Sequence, residues 1–145
     1  MSPLAPIVLS RWPRGQHPGT VEYDLASGAS FVSGELVGLD GSGDVIAASG
    51  TNPNEILGIA AEDSANVLFS GKVLVYEASE TEHFMMVGDR DPVAGDVAVE
   101  YGLDKTGSYH LVDTTNVATT RVLVIDVNIP RKVFFCKVLS AYRQA

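Results

Sequence analysis

The sequence predicts a mostly-β protein, a small barrel or sandwich of hairpins behind an extended N-terminal arm. Three observations carry that expectation. Strand-length apolar runs, such as 72–77 (KVLVYE) and 122–127, alternate with turn words such as Asp40-Gly41-Ser42-Gly43 and 88–92 (GDRDP). Fourteen glycines and seven prolines in 145 residues supply many chain reversals. No stretch of ordinary helix length carries an amphipathic 3.6-residue period.

Residues 1–23 read as the arm, because Pro3, Pro6, Pro13 and Pro18, with Gly15 and Gly19, deny them a regular helix or a central strand. The arm holds the apolar group Ile7-Val8-Leu9 and the only tryptophan, bracketed as Arg11-Trp12-Pro13-Arg14. Tryptophan and arginine are the side chains that most often anchor interfaces. Ile7, Leu9, Arg11, Trp12 and Arg14 are therefore the candidate docking residues. The alternative is that Trp12 folds back to cap the protein's own body.

Residues 24–145 form the body. Its first hairpin spans 31–48, with Asp40 at the first and Gly43 at the fourth position of a type I turn. An apolar strand over 56–61 ends in Glu62-Asp63, 64–70 is a helical turn or a loop, and 72–77 and 84–87 are strands. Val97, Val99 and Tyr101 alternate with Ala98 and Glu100, the pattern of a half-buried strand. The run 122–127 reads as a central strand and 133–139 as the last one, after which 142–145 trails off. The last strand is apolar on both faces, so it is expected to pack on two sides. Phe134, Phe135 and Val138 are its candidate contacts to a neighbouring protomer.

Part of the body echoes itself. Gly34-Glu35 corresponds to Gly95-Asp96, Leu39-Asp40-Gly41-Ser42-Gly43 to Leu103-Asp104-Lys105-Thr106-Gly107, Thr51-Asn52 to Thr115-Asn116, and 56–63 to 120–127. Either a hairpin unit is duplicated, near 31–63 and 92–127, or the echo is the common turn vocabulary of β-proteins.

Net charge is −8, and its distribution is uneven. All 18 acids lie between Glu22 and Asp126, opposed there only by Lys72, Arg90, Lys105 and Arg121. The ends carry Arg11, Arg14, Arg131, Lys132, Lys137 and Arg143 and no acid. An acidic body is a poor nucleic-acid ligand, so no nucleic-acid partner is expected; basic ends suit an acidic protein surface, or this body itself. The N-terminus lacks the basic region of a signal peptide and no segment is long enough to span a membrane, so no membrane partner is expected.

The residues that carry chemistry are dispersed. His17, His83 and His110 stand singly. Asp89-Arg90-Asp91 and Asp40–Asp44 gather carboxylates as calcium loops do, without a full ligand series. Glu62-Asp63 and Glu80/Glu82 are the only acid pairs to consider for glycoside hydrolysis, and adjacent strand residues face opposite ways. Cys136, in an apolar run, reads as a buried hydrophobe. The expectation is a non-enzyme with no cofactor, metal or catalytic residue.

A further observation concerns the order of β words: Leu39-Asp40, a strand DVIAASGT, then Gly58-Ile59-Ala60-Ala61-Glu62-Asp63, then 71–76 (GKVLVY). Behind a Pro/Gly-rich arm, this order resembles the head decoration, or capsid cement, proteins of tailed bacteriophages, of which the lambda-type trimer is best known. The resemblance covers roughly 31–77, and the chain beyond residue 79 departs from the small lambda-type proteins. It implies a structural virion protein, made in the host cytoplasm, on the outer surface of the capsid. Its implied partners are the major capsid protein, whose neighbouring subunits it would cement, and itself, as a homotrimer or a dimer. The competing expectation is a β-rich tail, fibre or surface module that recognises glycan or protein.

Overall fold

A computed structural model describes residues 7–10, 19–80 and 82–144. Their strands are β1 (Ile7–Ser10), β2 (Val21–Asp24), β3 (Leu36–Leu39), β4 (Val45–Ala47), β5 (Gly58–Ala60), β6 (Lys72–Glu77), β7 (Glu82–Met86), β8 (Glu100–Thr106), β9 (Tyr109–Asp113), β10 (Val122–Asn128) and β11 (Val133–Val138). Two short 3₁₀ turns, Ala94–Asp96 and Ser140–Tyr142, are the only helical elements among the described residues. The protein is mostly β, with two curled antiparallel sheets.

The sheets repeat one plan. One runs β2-β6-β5-β3-β4 and the other β1-β7-β11-β10-β8-β9. With β1 set aside, each places its five successive strands in the order first, fifth, fourth, second, third. The pairing repeats with it. Leu36 faces Ile59 and Val37 faces Gly58, and at a constant offset Glu100 faces Leu123 and Tyr101 faces Val122. Leu57 N–H donates to Val37 O at 2.8 Å, as Arg121 N–H does to Tyr101 O at 2.9 Å. Ala26 N–H donates to Val45 O at 3.1 Å, as Asp89 N–H does to Val112 O at 2.9 Å. The repeating unit is therefore five strands long, larger than the hairpin units near 31–63 and 92–127.

One expected correspondence fails. In the first half the turn falls at Asp40–Gly43, where Gly43 takes φ +82° and donates to Asp40 O at 3.0 Å. In the second half Asp104, Lys105 and Thr106 stay in β8, and the chain reverses at Gly107-Ser108, with Thr106 opposite Tyr109.

Because side chains alternate along a strand, neighbours Leu36 and Val37 enter different cores. Val37 joins Phe31, Val45, Leu57, Ala60, Val73 and Val75 inside the first half. Leu36 joins Ile56 and Ile59 with Phe84, Tyr101, Val122, Val124 and Phe134 of the second half. The halves thus share one apolar core and pack as one body.

Of the two alternatives for residues 64–70, a helical turn or a loop, the chain takes the loop, as turns and bends. Two expectations about elements are corrected. The alternation at 97–101 does not begin a strand at Val97: Ala98 has φ +69°, its N–H donates to Val124 O at 2.8 Å, and β8 starts at Glu100. The C-terminal residues return to the body instead of trailing off. Ile56 N–H donates to Tyr142 O at 2.8 Å, Gln144 N–H to Ile56 O at 2.9 Å, and Gln144 Oε1 accepts from Leu39 N–H at 2.7 Å.

Candidate functional site

The candidate docking residues divide into two groups. Arg11, Trp12 and Arg14 lie outside the described residues. Ile7 and Leu9 lie in β1, opposite Met85 and His83 of β7, so this part of the arm is a sheet strand. The contacts assigned to a neighbouring protomer need correction. β11 sits between β10 and β7, and Phe134, Phe135 and Val138 are buried at 0%, 8% and 2% exposure by the chain itself. The last strand is packed on both faces, as its sequence predicts, without a neighbour's help.

The carboxylates serve turns and ion pairs. Asp40 Oδ1 accepts from Ser42 and Asp44 N–H, and Asp89 Oδ1 from Thr114 N–H and Oγ1. Glu62 accepts from Leu68 and Leu74 N–H, and Asp63 from Ser33 N–H. Glu80 takes Lys137 and Arg143 at 2.7 Å each, which brings its carboxyl down to about 2. Among the described residues no three His, Cys, Asp or Glu side chains are grouped to hold a metal ion.

Two buried acids occupy equivalent places ahead of β3 and β8. Glu35 N–H donates to Val32 O and Asp96 N–H to Val93 O, and each carboxylate accepts from the N–H three residues back. Asp96 also takes Arg90 through both oxygens at 2.9 and 2.8 Å and Tyr101 Oη at 2.6 Å. Those donors, Arg90 foremost, hold it well below the usual carboxylate range. Glu35 has one long bond, 3.4 Å to Val32 N–H, and Lys105 at 3.9 Å, so burial prevails and its carboxyl is pushed up. Burial, followed by the charge of Glu77, raises Glu82 as well. Tyr23 Oη donates to Glu77 Oε2, and burial with that contact lifts the phenol to about 12.

A polar seam joins the halves at the loop 50–55. His110 Nε2 lies 2.9 Å from Gly50 O, Leu103 N–H donates to Asn52 Oδ1 at 2.8 Å, and Arg121 donates to Pro53 O at 2.7 Å and Asn54 Oδ1 at 2.9 Å. The Arg121 guanidinium also stacks on Tyr142 at 3.9 Å. Beside the seam lies a cleft of about 300 Å³, lined by Gly38, Ile46, Ser49, Asn52, Asn54 and Glu55 among others. Sequence reasoning missed this joint, since its partners lie 51 to 68 residues apart.

Sequence reasoning also missed the exposed apolar surface. Leu68 and Phe69 are 71% and 52% exposed in the β5–β6 loop, and Ile129 is 52% exposed in the equivalent β10–β11 loop. The signal was present, as the apolar run Val67-Leu68-Phe69 inside a polar loop, following no strand or helix period.

Comparison of the chain with protein-family models, curated proteins and solved structures finds no match.

Proposed function

We propose that this protein is a structural virion protein that binds the outside of a phage capsid and cements neighbouring major capsid subunits. One observation supports this above others. The words that resemble the cement family fall on paired strands of a single unit: Leu39 ends β3, Gly58–Ala60 is β5 and Lys72–Glu77 is β6, with β5 hydrogen-bonded between the other two. The stretch that carries the resemblance therefore lies within one folded module. The charge layout fits as well, since an acidic body with basic ends favours protein over nucleic acid as partner. The arm supplies an anchor in Trp12, worth about 1.5–3 kcal/mol if buried. An oligomer multiplies such anchors by effective concentration.

The test is co-sedimentation with capsids that lack this protein. The full chain binds and raises the temperature at which the shells open, whereas Trp12→Ala binds at least about tenfold more weakly, from the loss of that burial. If the full chain neither binds nor stabilises the shells, the reading fails. A second reading, a tail or fibre module recognising glycan or protein, is favoured by the cleft beside the seam. Specific retention on a glycan array, lost in an Asn54 or Glu55 variant, would replace the first reading with the second.

A further inference from the structure

The two halves differ at one edge. In the second sheet the first strand of the unit, β7, carries β1 on its outer side, from Ile7 opposite Met85 to Ser10 opposite Glu82. In the first sheet the equivalent strand, β2, is the end of the order, and among the described residues its outer side is met only just past its C-terminal end, where Leu25 bridges Val45. The equivalence is set by two matching bridges, Leu25 with Val45 and Gly88 with Val112. β1 is itself the end strand of its sheet. Among the described residues, the outer sides of β2 and β1 thus have no ladder partner; the other two end strands, β4 and β9, are each bridged once, at Val45 and Val112.

The edges are complementary. Val21 is 40% exposed, and Glu22 and Asp24 are exposed. Leu25 N–H bonds Gly71 O, so by antiparallel alternation Val21 and Tyr23 bond inward to β6, while Glu22 and Asp24 face outward, Glu22 with both its N–H and C=O open and Asp24 beside the Leu25–Val45 bridge. Two β2 edges facing each other would oppose Glu22 and Asp24 with their own copies, which like charge disfavours. β1, Ile-Val-Leu-Ser, has no charge and lies in a stretch, 1–21, that has two arginines and no acid. A second copy's β1 can meet β2 without repulsion while keeping its own β7, so one strand serves two equivalent edges.

We propose that β2 of one copy pairs with the outer edge of β1 in a second copy, joining the sheets of successive protomers head to tail. The contact is heterologous, so it closes into a ring if the rotation permits and extends into a filament if it does not. Every copy offers one acceptor and one donor edge, and a ring leaves neither of these two open, which lessens the hazard of exposed edges. The inference concerns self-association alone and holds or falls independently of capsid binding.

The experiment uses the full chain and two variants in analytical ultracentrifugation, with thermal unfolding as the check on folding. Glu22→Pro removes an outward N–H and leaves the inward bonds of Val21 and Tyr23; a chain lacking residues 1–10 removes β1. The full chain is expected to be an oligomer, and each variant alone a folded monomer with association weakened at least about 100-fold. Mixed, the two restore one good edge of each kind and form a closed complex that grows no further, one truncated chain with one Glu22→Pro chain on β2 and at most a second on the β7 edge that the truncation uncovers. Hydrogen exchange on the unaltered chain gives a second readout, because the Glu22 and Asp24 amides gain protection on association while those of Val21 and Tyr23 are protected throughout. A full chain that stays monomeric at about 100 μM, variants that assemble like it, or an oligomer whose Glu22 and Asp24 amides exchange freely would each overturn the proposal.

Discussion

Asp96 and Glu35 occupy equivalent turns, yet their removal should have opposite consequences. Asp96→Ala leaves Tyr101, 6% exposed, without an acceptor for its hydroxyl. A buried group so stranded costs about 1–3 kcal/mol. The Val93 N–H loses its cap, about 1 kcal/mol more. Arg90, whose side chain is 44% exposed, turns to water and adds little. The sum is about 3 kcal/mol, and with about 0.3 kcal/mol/K of unfolding entropy for a chain of this size the melting temperature falls by about 10 °C. Glu35→Gln instead removes a buried charge held by one long bond and a lysine at 3.9 Å, and should be neutral or mildly stabilising at pH 7. The pH profiles separate the two further. Asp96 titrates lower in the folded chain, so its contribution is full above an unfolded pKa of about 3.9 and is lost as pH falls through the folded value. Glu35 titrates higher, so its contribution is full below about 4.3 and is lost as pH rises through the folded value. Urea and thermal unfolding by circular dichroism from pH 2.5 to 8 measure both. An Asp96→Ala penalty under about 1 kcal/mol, or a Glu35→Gln penalty as large as that of Asp96→Ala, would refute this account.

Three further outcomes follow from packing. Gly58→Ala would put a Cβ 1.9 Å from Tyr76 O and 3.0 Å from Ala78 N, both backbone atoms, and should cost 3 kcal/mol or more, about the upper range for overpacking, in urea melts. Cys136, fully buried with its thiol pushed up by burial, should resist a thiol reagent in the native chain and react at once in denaturant. A chain ending at Leu139 loses the bonds to Leu39 and Ile56 and the Tyr142 face over Arg121, and should melt about 5–10 °C lower while remaining folded.

The strands were legible where alternation or an apolar run met a turn word. Lys72–Glu77 is the strand its sequence predicts, and Val122–Asn128 and Val133–Val138 agree with expectation to within one residue at each end. The Asp40–Gly43 turn was legible because Asp and Gly each have a local mechanism there. The five-strand repeat showed only as fragments, since pairing order leaves little trace when equivalent positions hold residues as unlike as Gly58 and Val122. The strand breaks at Ala98 and the docked tail depend on partners distant in sequence, Val124 and Ile56, which no local pattern encodes. Burial of Phe134, Phe135 and Val138 within the chain was hidden for a related reason. A two-sided apolar strand looks the same whether its second cover is another sheet of its own chain or a second protomer.

A chain that repeats one five-strand plan shows its specialisation where the halves differ. The shared parts account for folding: equal connectivity, the capped acid before the second strand, and a common core from Leu36 to Phe134. The differences cluster at edges and loops. The second half has β1 on its first strand and the longer hairpin; the first half has an open β2, the Leu68-Phe69 loop and the docked tail. Burying Leu68 and Phe69 on a partner would gain about 1.5–3 kcal/mol each, comparable to the gain proposed for Trp12. If both the arm and this loop contact a shell, Leu68→Ser with Phe69→Ser should weaken capsid binding by a factor close to that of Trp12→Ala. Being exposed, the pair should leave the melting temperature of the free protein unchanged. Co-sedimentation beside a thermal melt separates the cases: weaker binding with an unchanged melt places the loop in the interface, and unchanged binding confines docking to the arm.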